Sequence, residues 1–176
     1  MKNKAQVWIE TAMYTLIGLV IIGVVLGIAT PSIDRYKDEI VLEQTVTAIN
    51  SLNEKIIEAA DSGSGNRRLI PELRIKKGKI DIDSTGNSIN YVLEESRLEY
   101  SEPGVEVNQG DIIIKTEERG RRYDIYLSLS YDDIDLMYNG EEQNKTFHPV
   151  ATPYKIFVEN NGTIGNKVKI NIEEIS

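Results

Sequence analysis

Between Thr11 and Thr30 the chain runs for twenty residues without a charge, and no other feature restricts its folding so strongly. At about 1.5 Å per helical residue the run spans roughly 30 Å, the thickness of a bilayer's hydrocarbon core. Lys2 and Lys4 precede it, and a mixed-sign set (Asp34, Arg35, Lys37, Asp38, Glu39) follows. The excess of basic residues on the short side places the N-terminus in the cytoplasm and everything after Pro31 outside. Three readings fit such a segment. One is a secretory signal peptide, with Gly27-Ile28-Ala29 as a small-x-small cleavage pattern, although a signal core is usually only about 7–15 residues long. The second is a plain signal anchor on an external domain. The third turns on Glu10.

Glu10 stands at the cytoplasmic edge of the run, behind Val7, Trp8 and Ile9. An ionised carboxylate costs about 2.5–3.5 kcal/mol at the centre of a membrane helix and less near the interface, so an acid here either reaches the headgroups or has a partner. The stretch Lys4-Ala5-Gln6-Val7-Trp8-Ile9-Glu10 resembles the class III signal peptide of archaeal type IV pilin precursors, in which a short basic leader ends in a small residue, glutamine begins the mature chain, and glutamate is its fifth residue. The likeness is tight over about these seven residues and looser over the following helix. It implies cleavage between Ala5 and Gln6 by a prepilin peptidase on the cytoplasmic side, with Lys4, Ala5 and Gln6 forming the processing signal. It further implies that Glu10 serves assembly. Cleavage creates an α-amino group with an ordinary pKa of about 7.7–8.0, largely charged at neutral pH. Buried among packed apolar helices, that ammonium needs a counter-charge, and Glu10 of a neighbouring copy would supply it.

Two departures qualify the likeness. Bacterial type IV pilins carry a proline inside the membrane helix, whereas Pro31 falls after the run. Archaeal flagellar subunits typically lack the glutamate, so Glu10 favours an adhesive-type or minor pilin. Gly18, Gly23 and Gly27 interrupt the apolar stretch, and the four-residue step from Gly23 to Gly27 is one that lets membrane helices approach closely. Glycine is also simply frequent in membrane helices.

Beyond Pro31, with Ser32 as the expected cap, the pattern becomes amphipathic. Apolar positions fall at Ile33, Tyr36 and Ile40, then at Leu42, Thr45, Ile49, Leu52 and Ile56, so the buried face is expected to rotate between Ile40 and Leu42. As one helix, residues 6–60 would be about 80 Å long, far more than a domain of about 110 residues, with a radius of gyration near 13 Å, can cover. The first part must therefore be buried in lipid or in a bundle of its own copies. The division expected is a leader at 1–5, a long helix at 6–60 (membrane part 7–30, amphipathic part 32–60), a linker at 61–71 around Ser62-Gly63-Ser64-Gly65, and an external head at 72–176. In the head the period is two. Tyr123, Ile125, Leu127, Leu129 and Tyr131 alternate, as do Tyr154, Ile156 and Val158, and Val168, Ile170 and Ile172. Shorter strands are expected at 73–75, 80–82, 89–93, 112–114 and 134–138, between turns that include Asn139-Gly140 and Asn161-Gly162. The fold class is α+β: a long N-terminal transmembrane and amphipathic helix followed by an antiparallel β-sheet or β-sandwich head.

Composition removes other classes. A formal net charge of −8 gives no electrostatic support for nucleic-acid binding, and the absence of cysteine excludes disulfides and thiolate sites. The single histidine, His148, sits in a Phe-His-Pro turn, and no nucleophile-base or phosphate-loop motif occurs, so no enzymatic activity, cofactor or metal is expected. Asp81 to Asn87 has some of the spacing of a calcium loop, but Val92 stands where the closing glutamate belongs. Two sequons, at Asn144 and Asn161, fall in expected loops of the external part and are candidate N-glycosylation sites. The expected function is structural: a subunit held in the membrane and then polymerised through its helix into a cell-surface filament. Its partners would be the membrane, copies of itself or other pilins, prepilin peptidase and pilus assembly machinery. The alternative is a membrane-anchored external binding domain that does not polymerise.

Overall fold

The computed structural model of the protein describes residues 2–175, with side-chain surroundings from Val7 onward. Its layout is α+β: one long helix, α1 (Lys2–Ala60), precedes ten strands among the described residues. The chain divides into two compact units, Met1–Lys37 and Asp38–Ser176.

The first unit is helical throughout its described residues, and Ser32 is not a cap because α1 continues through Pro31. A proline inside a helix removes one hydrogen bond and costs about 3 kcal/mol in water. In an apolar surrounding the alternative is worse, because an unwound segment would leave several backbone groups unpaired. The hydroxyls of the unit obey the same constraint. Thr11, Thr15 and Thr30 each donate to the carbonyl four residues earlier, on Val7, Thr11 and Leu26, at 2.7–2.9 Å.

In the second unit the helix shows one buried stripe. Leu42, Thr45, Ile49, Leu52 and Ile56 are buried as their spacing indicates, and Asp38, Val46, Asn53 and Ala59 complete the row. Ile40 is exposed while Asp38 is buried, so the stripe begins at Asp38 and runs on through Leu42 without the expected rotation. Against this stripe stand two separate sheets. One has four strands in the order β1 (Arg67–Leu73), β9 (Tyr154–Ile164), β10 (Lys167–Ile175) and β7 (Ile134–Tyr138). The other has six, in the order β4 (Glu106–Gln109), β5 (Ile112–Arg119), β6 (Arg122–Ser130), β3 (Ser88–Ser96), β2 (Lys79–Asp83) and β8 (Lys145–Phe147). The inward residues of both sheets and the helical stripe form one hydrophobic core.

Several expectations are corrected. The sheets are not wholly antiparallel, because β10 pairs with β7 in parallel, Val168 opposite Ile134 and Ile172 opposite Tyr138. The stretch 61–71 is not a linker throughout. Only 61–66 is a turn, and β1 starts at Arg67. Pro71 disguised it, since proline reads as a break, yet an edge strand with a bulge between Ile70 and Leu73 accommodates one. Strands β4 and β8 gave no sequence signal: the first is exposed along its whole length and the second has three residues.

Polar contacts fix where the helix meets its sheets. In β3 a bulge after Leu93 skips one position, so Ser96 rather than Glu95 takes the next inward place. Glu95 adopts φ 54°, and its N–H is held by Asp124 Oδ1 at 2.8 Å. Ser96 Oγ then donates to Asp38 Oδ2 at 3.0 Å, and the N–H of Arg97 donates to the same oxygen at 2.9 Å. Lys77 Nζ reaches Asp38 Oδ1 at 2.7 Å. Burial opposes ionisation of Asp38, but the bonds from Lys77, Arg97 and Ser96 outweigh it and hold the carboxyl below the ordinary carboxylate range. Midway along, Asn53 receives Tyr131 Oη–H at 2.9 Å and donates to Asp111 at 3.3 Å. At the helix end, buried Asn160 of β9 donates to the carbonyls of Ala59 and Ser62 at 2.9 and 2.7 Å, which ties β9 to the turn that ends α1.

Asp38→Asn should destabilise the protein by about 2 kcal/mol in chemical denaturation, the scale of hydrogen bonds to a buried charge. Because the folded-state pKa is depressed, this contribution is complete above about pH 4 and lost as pH falls further. The wild-type advantage over Asp38→Asn should therefore vanish in acid, which paired denaturation curves at neutral and acid pH would measure.

Candidate functional site

The candidate site is the surface of α1 in the first unit. From Val7 to Ile28 fifteen large apolar side chains are exposed, on every side of the helix, with Trp8 at 79%, Tyr14 at 74% and Ile28 at 72%. No residue of its most apolar window is buried within the protein, and the helix is long and apolar enough to cross a membrane. Covering fifteen such side chains is worth roughly 20–45 kcal/mol at the usual transfer values. A whole domain is stable by only about 5–15 kcal/mol. The first term is the larger, so leaving this surface in water is strongly unfavourable.

Glu10 lies within this surface as an exposed acid in an otherwise apolar stretch, after Trp8 and Ile9. Gly18, Gly23 and Gly27 expose bare backbone, and a Cβ built on any of them meets no atom of the protein within 4 Å. Lys4, Ala5 and Gln6, the expected processing signal, lie outside the residues whose side chains are described.

The two sequons lie in the second unit, Asn144 in a loop as expected and Asn161 in a strand. Asn144 is exposed just before β8, and its side-chain carbonyl already accepts the Ser84 N–H at 3.0 Å. Thr146, the third residue of that sequon, is in β8 and donates to Asp81. Asn161 is exposed but sits inside β9 rather than in a turn. The hairpin to β10 closes further on, with Ile164 opposite Lys167, and a bulge between Val168 and Ile170 absorbs the extra residue.

The acidic runs have local work within the fold. Asp83 accepts the N–H groups of Thr85 and Gly86 at 3.0 and 3.1 Å, which forms the turn between β2 and β3. Among the described residues no group of three or more His, Asp or Glu is arranged to hold a metal ion. The buried phenols are structural. Burial pushes the Tyr91 hydroxyl up to about 12, a bond with Thr45 opposes this, and the Asp38 charge adds to it; its proton is donated to the Lys77 carbonyl at 2.9 Å. Sequence reasoning missed Asp38 and Asn160, because an aspartate in a charged run and an asparagine in Asn-Asn-Gly look like solvated residues until the strands beside them are known.

Comparison with known proteins gives no match to a protein-family model, a curated protein or a solved structure.

If the apolar helix surface is the feature that needs covering, a chain lacking residues 1–37 should be soluble and monodisperse without detergent. The full chain should remain in the detergent or lipid fraction. Sedimentation velocity on both chains checks this, and a truncated chain that still aggregates would point to a second apolar surface.

Proposed function

We propose that the chain is the structural subunit of an archaeal type IV pilus-like cell-surface filament, held in the cell membrane with its N-terminus in the cytoplasm and its head outside until it polymerises through its N-terminal helix. The observation that carries the reading is the run of fifteen exposed apolar side chains on α1, interrupted by glycines at which a Cβ would meet open space. A plain anchor needs the apolar length. An acid at Glu10 immediately before that length, preceded by the Lys4-Ala5-Gln6 sequence, is what a filament subunit needs in addition.

In this reading, removal of residues 1–5 leaves Gln6 with a free ammonium. On extraction from lipid into a bundle of helices, that charge loses its water and is neutralised by Glu10 of a neighbouring copy. Gly23 and Gly27 allow the close backbone approach, and the head remains in water. Processing by a prepilin peptidase and handling by pilus assembly machinery are the corresponding partners. The acidic head needs no cofactor for this role.

The deciding measurement is the intact mass and first residue of the protein from its native membrane. A start at Gln6, with Glu10→Gln still inserted in the membrane but yielding few filaments, is the expected result. An uncut chain that disperses as monomers in detergent would instead make the protein an anchored external domain.

A further inference from the structure

The head carries two Asn-Gly pairs, Asn139-Gly140 and Asn161-Gly162, and in both the asparagine is exposed. This dipeptide is the one most prone to spontaneous loss of the side-chain amide, since glycine leaves its own backbone nitrogen sterically open. The glycine nitrogen gives its proton to base and attacks Cγ of the asparagine. The new N–Cγ bond forms as the Cγ–Nδ2 bond breaks, ammonia leaves, and water then opens the succinimide to aspartate or isoaspartate. Everything depends on that one glycine N–H.

In this protein both of those N–H groups are taken, each by a buried asparagine. Gly140 N–H donates to Asn171 Oδ1 at 2.7 Å, and Gly162 N–H donates to Asn160 Oδ1 at 2.7 Å. Asn171 is 8% exposed and Asn160 is 3% exposed. We infer that Asn171 and Asn160 protect Asn139 and Asn161 from succinimide formation, which makes the two Asn-Gly pairs latent modification sites that the fold keeps closed. The acceptor bond stabilises the neutral amide and turns a lone pair toward the nitrogen once it is deprotonated, so it opposes the anion that must attack. It also fixes the direction of the nitrogen.

The local structure explains why the hazard is present at all. Asn139 and Gly140 have φ 52° and 80° and form a two-residue hairpin loop, closed by mutual backbone bonds between Tyr138 and Glu141 at 2.9 and 3.1 Å. Only residues that tolerate positive φ suit such a turn, and Asn-Gly is its preferred pair. At the second site the orientation of the protecting amide is set from elsewhere. Asn160 Nδ2 donates to Ala59 O and Ser62 O, which turns its Oδ1 toward Gly162. The inference is independent of the filament reading.

The test uses the full chain in detergent, incubated in mildly alkaline buffer, with conversion at Asn139 and Asn161 followed separately by peptide mass spectrometry. Asn171→Ala should convert Asn139 about tenfold faster, the rate equivalent of one lost hydrogen bond, while Asn161 in the same molecule stays at the wild-type rate. Asn171→Asp, which keeps an acceptor oxygen, should protect Asn139 as the wild type does. Asn161 serves as the internal gauge of general loosening. Equal acceleration at both sites in Asn171→Ala, or none at Asn139, would overturn the inference.

Discussion

The stripe Leu42, Val46, Ile49, Leu52, Ile56 and Ala59 is the surface on which the head is built. Each sheet has one face rich in isoleucine, leucine and valine, and both faces join these helical residues in a single core. No disulfide assists, since the chain contains no cysteine, so cohesion comes from packing and from the bonds that set its geometry. The helix also determines the spacing of what packs on it. Its row is continuous from Asp38 to Ala59, and polar contacts hold it near both ends and in the middle.

Those contacts share a logic. Asp38, Asn53 and Asn160 are buried polar groups, and each is satisfied by strands or loops distant in sequence: Ser96 and Arg97, Tyr131 and Asp111, and the reverse case in which Asn160 of β9 serves the helix end. A buried polar group contributes little net stability when paired and costs about 1–3 kcal/mol when left open. Such groups therefore penalise every other register of helix against sheet more than they stabilise the right one. The bulge in β3 belongs to the same scheme, because without the extra residue a glutamate would point at the core in place of Ser96.

Three of the four edge strands are kept short or carry proline. β1 carries Pro71, β4 has four residues, and β8 has three and is closely followed by Pro149. Short or interrupted edges offer little backbone for unwanted pairing.

The sequence by itself determined the elements whose signal is local. A twenty-residue uncharged run can only be a helix in an apolar surrounding, because no other open conformation satisfies its backbone there. The stripe from Leu42 to Ile56 and the alternation in β6, β9 and β10 were legible for the same reason, since helix and strand periods are written in consecutive residues. Tertiary structure alone decided the rest: two sheets rather than one, the parallel pairing of β7 with β10, the edge strand through Pro71, and the placement of Asn161 within β9. It also decided that Asp38 and Asn160 are buried and that each Asn-Gly N–H has a partner. Each of these rests on groups brought together from distant parts of the chain, and the worth of a hydrogen bond or a strand pairing is set by the partner and the burial, neither of which is present in the local sequence.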